Sequence, residues 1–517
     1  MAKFKPYNYD QMVMIPITLK EQLEPGTIEY AIHELVEQEI DLSIFEDRFK
    51  NDDSGAPAFD PKILLKIVLF AYSRGIIGSR PIERACQENI VFMALSCGFQ
   101  PDHSTIAHFV SSMKEEIEPI FCNILLVCEE LNLLGGTHFS LDGLKLPSNA
   151  SKEWSGTFKE LKKKRDKLQE KLTEVLSEHI RADETSASDS QRRQKQKKRL
   201  ARQVERLDDF LKQNEPKKGK TKAEIQSNVT DNESAKMPTS HGVIQGYNAQ
   251  ALVDDKHQII VNAEAMGNGQ DHDNLAPMLG GAKKNMQAIG KGEDYFEGKQ
   301  LSADCNYHNK DNLARCEDEG IDAYIPDPQF RKRDVRFAEQ DRFKDGINPR
   351  KRPKKETVAR SDKFTVNDFT YDEQNKSYIC PNKNVLKRNA HAHRIRNLIY
   401  DIYRAKESDC AVCPFRQKCL SKKTTKRRHL VIPLERAEEV QKKFSLVEAM
   451  KQKIDTHEGR RIYSRRLAIV EPVFANIRAQ KRLDRFTLRT KEKVNIQWML
   501  FALVHNIEKI AHYGMAY

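Results

Sequence analysis

Three acidic side chains, each at a local irregularity of the pattern, carry the chemistry this sequence can be expected to perform. Asp142 lies in THFSLDGLKLPSNAS, residues 137–151. There Phe139 and Leu141 alternate with His138, Ser140 and Asp142, the period of a strand with one face in a core. At Gly143 the apolar phase flips to Leu144 and Leu146, which predicts a bulge or a close backbone approach beside the carboxylate. In KQLSADCNY a short buried strand is read to end at Asp304. Glu471 stands in YSRRLAIVEPVFANIRAQKR, where Leu467, Val470, Phe474 and Ile477 form an apolar stripe and Pro472 makes the helix kink or start. Singly, such an Asp is most often a turn residue and such a Glu a solvated one. In combination, an Asp on a central strand, an Asp ending a neighbouring strand and a Glu on a later helix can hold two divalent cations. Oxygen-only ligands suit Mg²⁺ or Mn²⁺. Two such metals about 4 Å apart activate a water or a 3′-hydroxyl and stabilise the leaving oxygen of a phosphodiester.

The elements around these residues must form a sheet. GYNAQALVDD and HQIIVNAEAMG read as two strands of a hairpin turning at Asp254, Asp255 and Lys256. A helix over 271–287, the strand ending at Asp304, a helix over 309–319 and the strand IDAYIP follow. With the Asp142 strand first, that order is an α/β fold: a mixed sheet of the RNase H type over 136–151 and 241–326. The helices of 436–517 complete it, with Val494 to Ile510 reading as a buried helix that covers the sheet through Trp498 and Phe501. Residues 1–135 read as an N-terminal helical domain. Within it, SRPIERACQENIVFMALSCGFQPDHSTIAHF has the spacing of a helix-turn-helix, with Ser104, Thr105 and His108 near the start of the recognition helix. A plain helical bundle fits the same pattern.

The chain has 517 residues and a net charge of +12, with a pI near 9.0 and a mean hydropathy of −0.69. No apolar run approaches membrane-spanning length and the start has no signal core, so a cytoplasmic, nucleoid-associated protein with an anionic partner is expected. The basic residues cluster, as in RRQKQKKRLARQ from Arg192, NPRKRPKK from Asn348 and KKTTKRRH from Lys422. The first cluster belongs to a predicted helical hairpin inserted at 152–240. Leu161, Leu168, Leu172 and Val175 form one seam, and Leu200, Val204, Leu207 and Leu211 the other. A mobile polar tail is expected to follow it. Seven Lys or Arg and no acid fall between Arg192 and Arg202. Arg192, Arg193, Lys195, Lys197 and Lys198 are therefore expected to track a DNA backbone. A dimerisation arm or a solvated spacer is the alternative.

Ten cysteines in a chain of this length do not make a secreted disulfide scaffold. Four of them, Cys380 in YICPNK and Cys410, Cys413 and Cys419 in CAVCPFRQKC, supply a C-x2-C pair and two further thiols within a basic insertion over 327–435. That set predicts one structural zinc in a ribbon-like insertion, with four unconnected reduced thiols as the alternative.

LDGLKLPSNAS, GYNAQALVDDKHQIIVNAE, LSADCNYHNKDNL, the cysteine stretch and YSRRLAIVEPVFANIR, in this order over about 59–505, resemble bacterial insertion-sequence transposases of the DDE class, closest in type to the IS-eleven-eighty-two group. The resemblance implies an RNase H-like core with Asp142, Asp304 and Glu471 as the catalytic triad, served by two Mg²⁺ or Mn²⁺ ions. It implies a Tyr-Arg-Glu-Lys signature at Tyr463, Arg466, Glu471 and position 478, where this chain has Arg478. Both cations bind phosphate, and Arg grips it bidentately. It also implies that the N-terminal helices bind the terminal inverted repeats, that DNA is cleaved at the ends and the 3′-OH joined to target DNA, and that a homodimer assembles on double-stranded DNA. A nuclease of the same fold without strand transfer, and an inactive DNA-binding descendant, are the alternatives.

Overall fold

The computed structural model describes residues 18–48, 57–181, 187–219, 222–240, 242–338, 363–395, 398–420, 424–433 and 437–514. They divide into two units, Met1–Asp327 with Thr456–Tyr517, and Pro328–Asp455.

The first unit opens with helices α1 (Ile28–Glu34), α2 (Pro61–Ser73), α3 (Ser79–Glu88), α4 (Ile90–Leu95), α5 (His103–Ser112) and α6 (Ile117–Glu130). Their starts follow from local chemistry. Asp60 accepts the Lys62 amide at 2.8 Å ahead of Pro61, and Asp102 accepts the Thr105 amide at 2.6 Å. Leu64, Leu65, Ile67, Val68 and Ala71 of α2 are buried, as their helical spacing requires.

Strand β1 (His138–Pro147) follows. The short strand β2 (Ser155–Gly156) leads into a helical hairpin, α7 (Phe158–Arg181) and α8 (Ala187–Gln213). Phe158, Leu161, Leu207, Phe210 and Val229 close the base of that hairpin in one apolar cluster. The polar tail behind it, expected to be mobile, is largely built into the fold. It forms β3 (Ser227–Asn228) and β4 (Ala235–Thr239), and β4 pairs with the main sheet. The reason is a set of short polar side chains bonding their own backbone. Asn228 accepts from the amides of Thr230 and Asp231 and donates to the Ser151 carbonyl. Buried Asp231 accepts from the Tyr247 hydroxyl at 2.9 Å.

Next come β5 (Gly242–Asp254), β6 (Ile260–Met266), α9 (Leu275–Ala288), β7 (Gln300–Ala303), α10 (Lys310–Asp318) and β8 (Asp322–Tyr324). The sheet runs β4-β5-β1-β7-β8, with β6 also on β5. Pairing is antiparallel from β6 through β5 to β1 and parallel from β1 through β7 to β8. The β1–β5 register passes Gly143 without interruption, Gly143 facing Gln250, so there is no bulge. The glycine instead answers a close approach, since a Cβ there would lie 2.0 Å from Gln250 Nε2 and 2.5 Å from Asn248 Oδ1.

In the second unit, after the short α11 (Val335–Ala338), the strands β9 (Thr370–Asp372), β10 (Ser377–Ile379), β11 (Val385–Ile395), β12 (Leu398–Arg404) and β13 (His429–Pro433) form an antiparallel sheet. Two short helices, α12 (Glu407–Ala411) and α13 (Arg416–Cys419), interrupt it. Helix α14 (Ala437–Asp455) belongs to this unit, not to the helices that complete the first one as the sequence suggested.

The chain returns to the first unit with α15 (His457–Ala475), capped by Thr456, and α16 (Lys491–Tyr513). Pro472 neither starts nor ends α15, which runs on into a wider π-type turn over Asn476–Gln480. The buried stripe of α15 is Ile462, Arg466, Ile469, Val470 and Val473, leaving Leu467 44% exposed, contrary to the expected stripe. Helix α16 covers β6 as predicted. Asn506 bonds both the amide and the carbonyl of Ile260 at 2.9 Å, and Asn495 accepts from the Ala265 amide. These amides satisfy the open edge of the sheet.

Candidate active site

The two aspartates meet because of strand register. Leu141 of β1 faces Ala303 of β7 in a parallel pair, so one step further along both strands Asp142 comes opposite Asp304, where β7 ends. The preceding residues on that face are also polar and linked to one another, although His138 Nδ1 is buried without a hydrogen-bond partner. His138 Nε2 bonds Ser302 Oγ at 2.9 Å, and Ser140 Oγ bonds the same oxygen at 2.7 Å. Burial pushes the Asp142 carboxyl up to about 6 against the pull of Arg466 and the Gly143 amide, and the neighbouring Asp304 charge adds to the rise.

Helix α15 lies against β1, β5 and β7 and brings a cation to this pair. Arg466 Nη1 donates to Asp142 Oδ2 at 2.5 Å. Burial pulls the guanidinium down, but Asp142, Tyr463 and Asp304 outweigh it and hold it above its ordinary range. The Arg466 guanidinium stands 5.8 Å from the Tyr463 ring centre. Burial pushes the Tyr463 phenol up to about 12, with Arg466 opposing and Asp304 adding. Thus Asp142, Asp304, Tyr463 and Arg466 form one group. Glu471 and Arg478 are not brought into it: Glu471 is exposed, and Arg478 is exposed with its Nε 3.5 Å from Asp484. Among the described residues, no set of three or more His, Cys, Asp or Glu is disposed to hold a metal ion.

A further carboxylate escaped the sequence reading. Asp271, in a helical turn ahead of α9, is 8% exposed and accepts from Asn248 Nδ2 at 2.6 Å and Gln250 Nε2 at 3.2 Å. Asn306 Nδ2 reaches both Asp271 Oδ2 at 3.3 Å and Asp304 Oδ2 at 3.2 Å. Tyr307 donates to Gln250 Oε1. Burial, followed by the charges of Asp271 and Asp142, pushes its phenol well above the usual range. The signal available in the sequence was Asn248 and Gln250, amides set among the apolar residues of a strand, since buried amides require partners.

Elsewhere, Ser104 and His108 are exposed and Thr105 half-buried in the first turns of α5, which packs on α3. On the hairpin, Lys195, Lys198, Arg199, Arg202 and Arg206 line a groove of about 490 Å³ together with Trp154. Lys197 is half-buried and does not line that groove, and the side chains of Arg192 and Arg193 lie outside the described residues. So do the basic stretch at 348–355 and residues Lys422 and Lys423.

The four cysteines of the second unit converge. Cys380, Cys410 and Cys419 pack on the cluster of Phe369, Leu386, Tyr403 and Leu430. Burial raises the Cys419 thiol against the pull of Arg428, and Cys410, Cys413 and Cys380 add to the rise. The Asn384 amide donates to Cys380 Sγ at 3.3 Å, in a turn where Lys383 has φ 60°. Among the described residues no cysteine is in a disulfide.

Two family profiles match the chain. One, described as a Transposase DDE domain, covers residues 379–511. The other, described as a Transposase domain (DUF772), covers residues 17–112. No curated protein matches it.

Proposed function

The chain belongs to the DDE transposases of insertion sequences, and from that premise we propose that it binds the terminal inverted repeats of its element, cleaves DNA at those ends and joins the freed 3′-OH to target DNA. The observation that carries the reading is the register that places Asp142 beside Asp304 under Arg466. The strand order β6-β5-β1-β7-β8, antiparallel and then parallel, supports an RNase H-like core for the catalysis.

The donor chemistry fits hard divalent cations, since the two groups brought side by side are carboxylates. Asp142 and Asp304 would hold Mg²⁺ or Mn²⁺; Glu471, the third ligand that the resemblance implies, stands exposed outside this pair in the structure. The ions, two per site, supply activation of the attacking oxygen and stabilisation of the leaving one. The protein's own part is orientation. Arg466 holds the Asp142 carboxylate in place, and Tyr463, Arg466 and Arg478 position backbone phosphates and the end of the element. No Ser or Tyr nucleophile is required. Ser104, Thr105 and His108 on α5 contribute to reading the end sequence, and two chains act together because two ends must be joined. In the second unit Cys380, Cys410, Cys413 and Cys419 would hold one structural Zn²⁺; the thiol chemistry supports this, whereas their present spacing is not that of a metal site.

The test is cleavage of DNA carrying the element's ends in Mg²⁺ by the parent and by Asp304→Asn. The variant keeps size but loses a charged ligand, so nicking and joining fall by about 10³ or more while end binding persists. Undiminished nicking by Asp304→Asn would remove Asp304 from the site.

A further inference from the structure

Asp304 has neighbours of two kinds. Tyr463 and Arg466 of α15 feel its charge. Asn306, exposed at its surface, has a single amide nitrogen that reaches one oxygen of Asp304 and one of Asp271. An amide NH2 has two hydrogens, so it can serve both carboxylates at once.

Asp271 is itself held from below. Asn248 and Gln250 are fully buried on β5 and both donate to the same Asp271 oxygen. Gln250 is fixed in turn by the Tyr307 hydroxyl. Asn248 Oδ1 is buried without a hydrogen-bond partner beside Gly143, the residue after Asp142. A carboxylate enclosed by three amide donors, with no Lys or Arg bonded to it among the described residues, is an expensive arrangement for structure alone, because apolar packing of the same shape would stabilise as well. It also joins β5, the strand paired with the one that carries Asp142, to the turn that carries Asp304.

We propose that Asp271 is a positioning residue of the catalytic centre, fixing the orientation of the Asp304 carboxylate through the Asn306 amide. The role rests on the reading of Asp304 as a metal ligand. Partners of ligating carboxylates typically change metal affinity when removed, because they set the direction of the lone pairs that meet the ion. Asp271 would not touch the ion, and the effect of losing it would pass through Asn306.

The experiment is titration of the full chain with Mn²⁺ alone, following free Mn²⁺ by electron paramagnetic resonance. Parent, Asp304→Asn, Asp271→Asn and Asn306→Ala are compared, with thermal unfolding of each by circular dichroism. Asn306 is exposed, so its truncation leaves the fold and melting unchanged and decides the matter even if Asp271→Asn unfolds. Asn306→Ala is expected to weaken Mn²⁺ binding about 10-fold, and folded Asp271→Asn by at least as much. Parental affinity in Asn306→Ala, with affinity lost in Asp304→Asn, overturns this proposal and leaves the metal reading standing. Parental affinity in Asp304→Asn overturns both.

Discussion

The aspartate pair and the cysteine cluster both gather side chains from separated stretches, but by different means. Asp142 and Asp304 are aligned by hydrogen-bonded strands, so their approach is fixed by backbone register and by the polar network beneath it. The cysteines are set by turns, a tight one after Cys380 and the short helices around Cys410, Cys413 and Cys419, over a small core of five buried residues. A site placed by register resists loss of its ligand and fails when its packing is disturbed. A site placed by turns over a small core depends on whatever ties the thiols together, since small units seldom stabilise themselves by apolar burial alone.

The largest effect expected from that contrast is in the cysteine unit. Protein prepared without chelator carries about one zinc per chain, the content of a closed four-ligand site. Cys410→Ser loses the zinc and the protease resistance of 363–433, while Mn²⁺ binding at the aspartates is unchanged. A zinc-free parent with an intact 363–433 segment would place the two regions on the same footing.

The second effect belongs to the aspartate site. Gly143→Ala puts a methyl 2.0 Å from Gln250 Nε2 and 2.5 Å from Asn248 Oδ1. These are ends of side chains, but Asp271 and Tyr307 hold them, so they cannot swing aside without losing buried hydrogen bonds. A destabilisation of about 1–3 kcal/mol in urea unfolding is expected. An unchanged midpoint would show that the network is looser than its bonds imply.

The sequence made the strands and both aspartates legible because alternation and buried runs are local signals. His138, Ser140 and Asp142 do share one face, and the hairpin at Asp254–Lys256 falls where its turn residues stand. What escaped depends on interactions between distant residues. Asp271 looked like the start of a helix, and only the amides of Asn248, Gln250 and Asn306 give it a role. The tail after the hairpin looked mobile because its composition is polar, yet Asn228 and Asp231 fold it through side-chain bonds that composition does not show. Arg466 belonged to the buried stripe of α15 in place of Leu467 because its charge is paired with Asp142, and periodicity cannot weigh a partner on another element.

A third, smaller effect separates affinity from chemistry. The groove on α8 is lined by Lys195, Lys198, Arg199 and Arg202, all exposed and outside the apolar seam. Replacing these four with Gln should weaken binding to end-bearing and random DNA alike. It should also lower the slope of log affinity against log salt by up to about 4, roughly one for each phosphate no longer neutralised. An unchanged slope would return the hairpin to a spacer or dimer-arm role.

The smallest effect concerns α15, the helix that brings Arg466 to Asp142. Two apolar residues of one expected stripe differ in the fold: Val470 is fully buried and Leu467 is 44% exposed. If the buried stripe is the one containing Arg466, the larger side chain matters less. Leu467→Ala then costs about 0.5 kcal/mol or less, as a surface change in a helix normally does. Val470→Ala, although it removes fewer carbons, costs roughly 1–2 kcal/mol through the cavity it leaves. The comparison needs only the two midpoints of chemical unfolding. Equal costs, or a larger one at Leu467, would mean that α15 is rotated about its axis, which would take Arg466 away from Asp142.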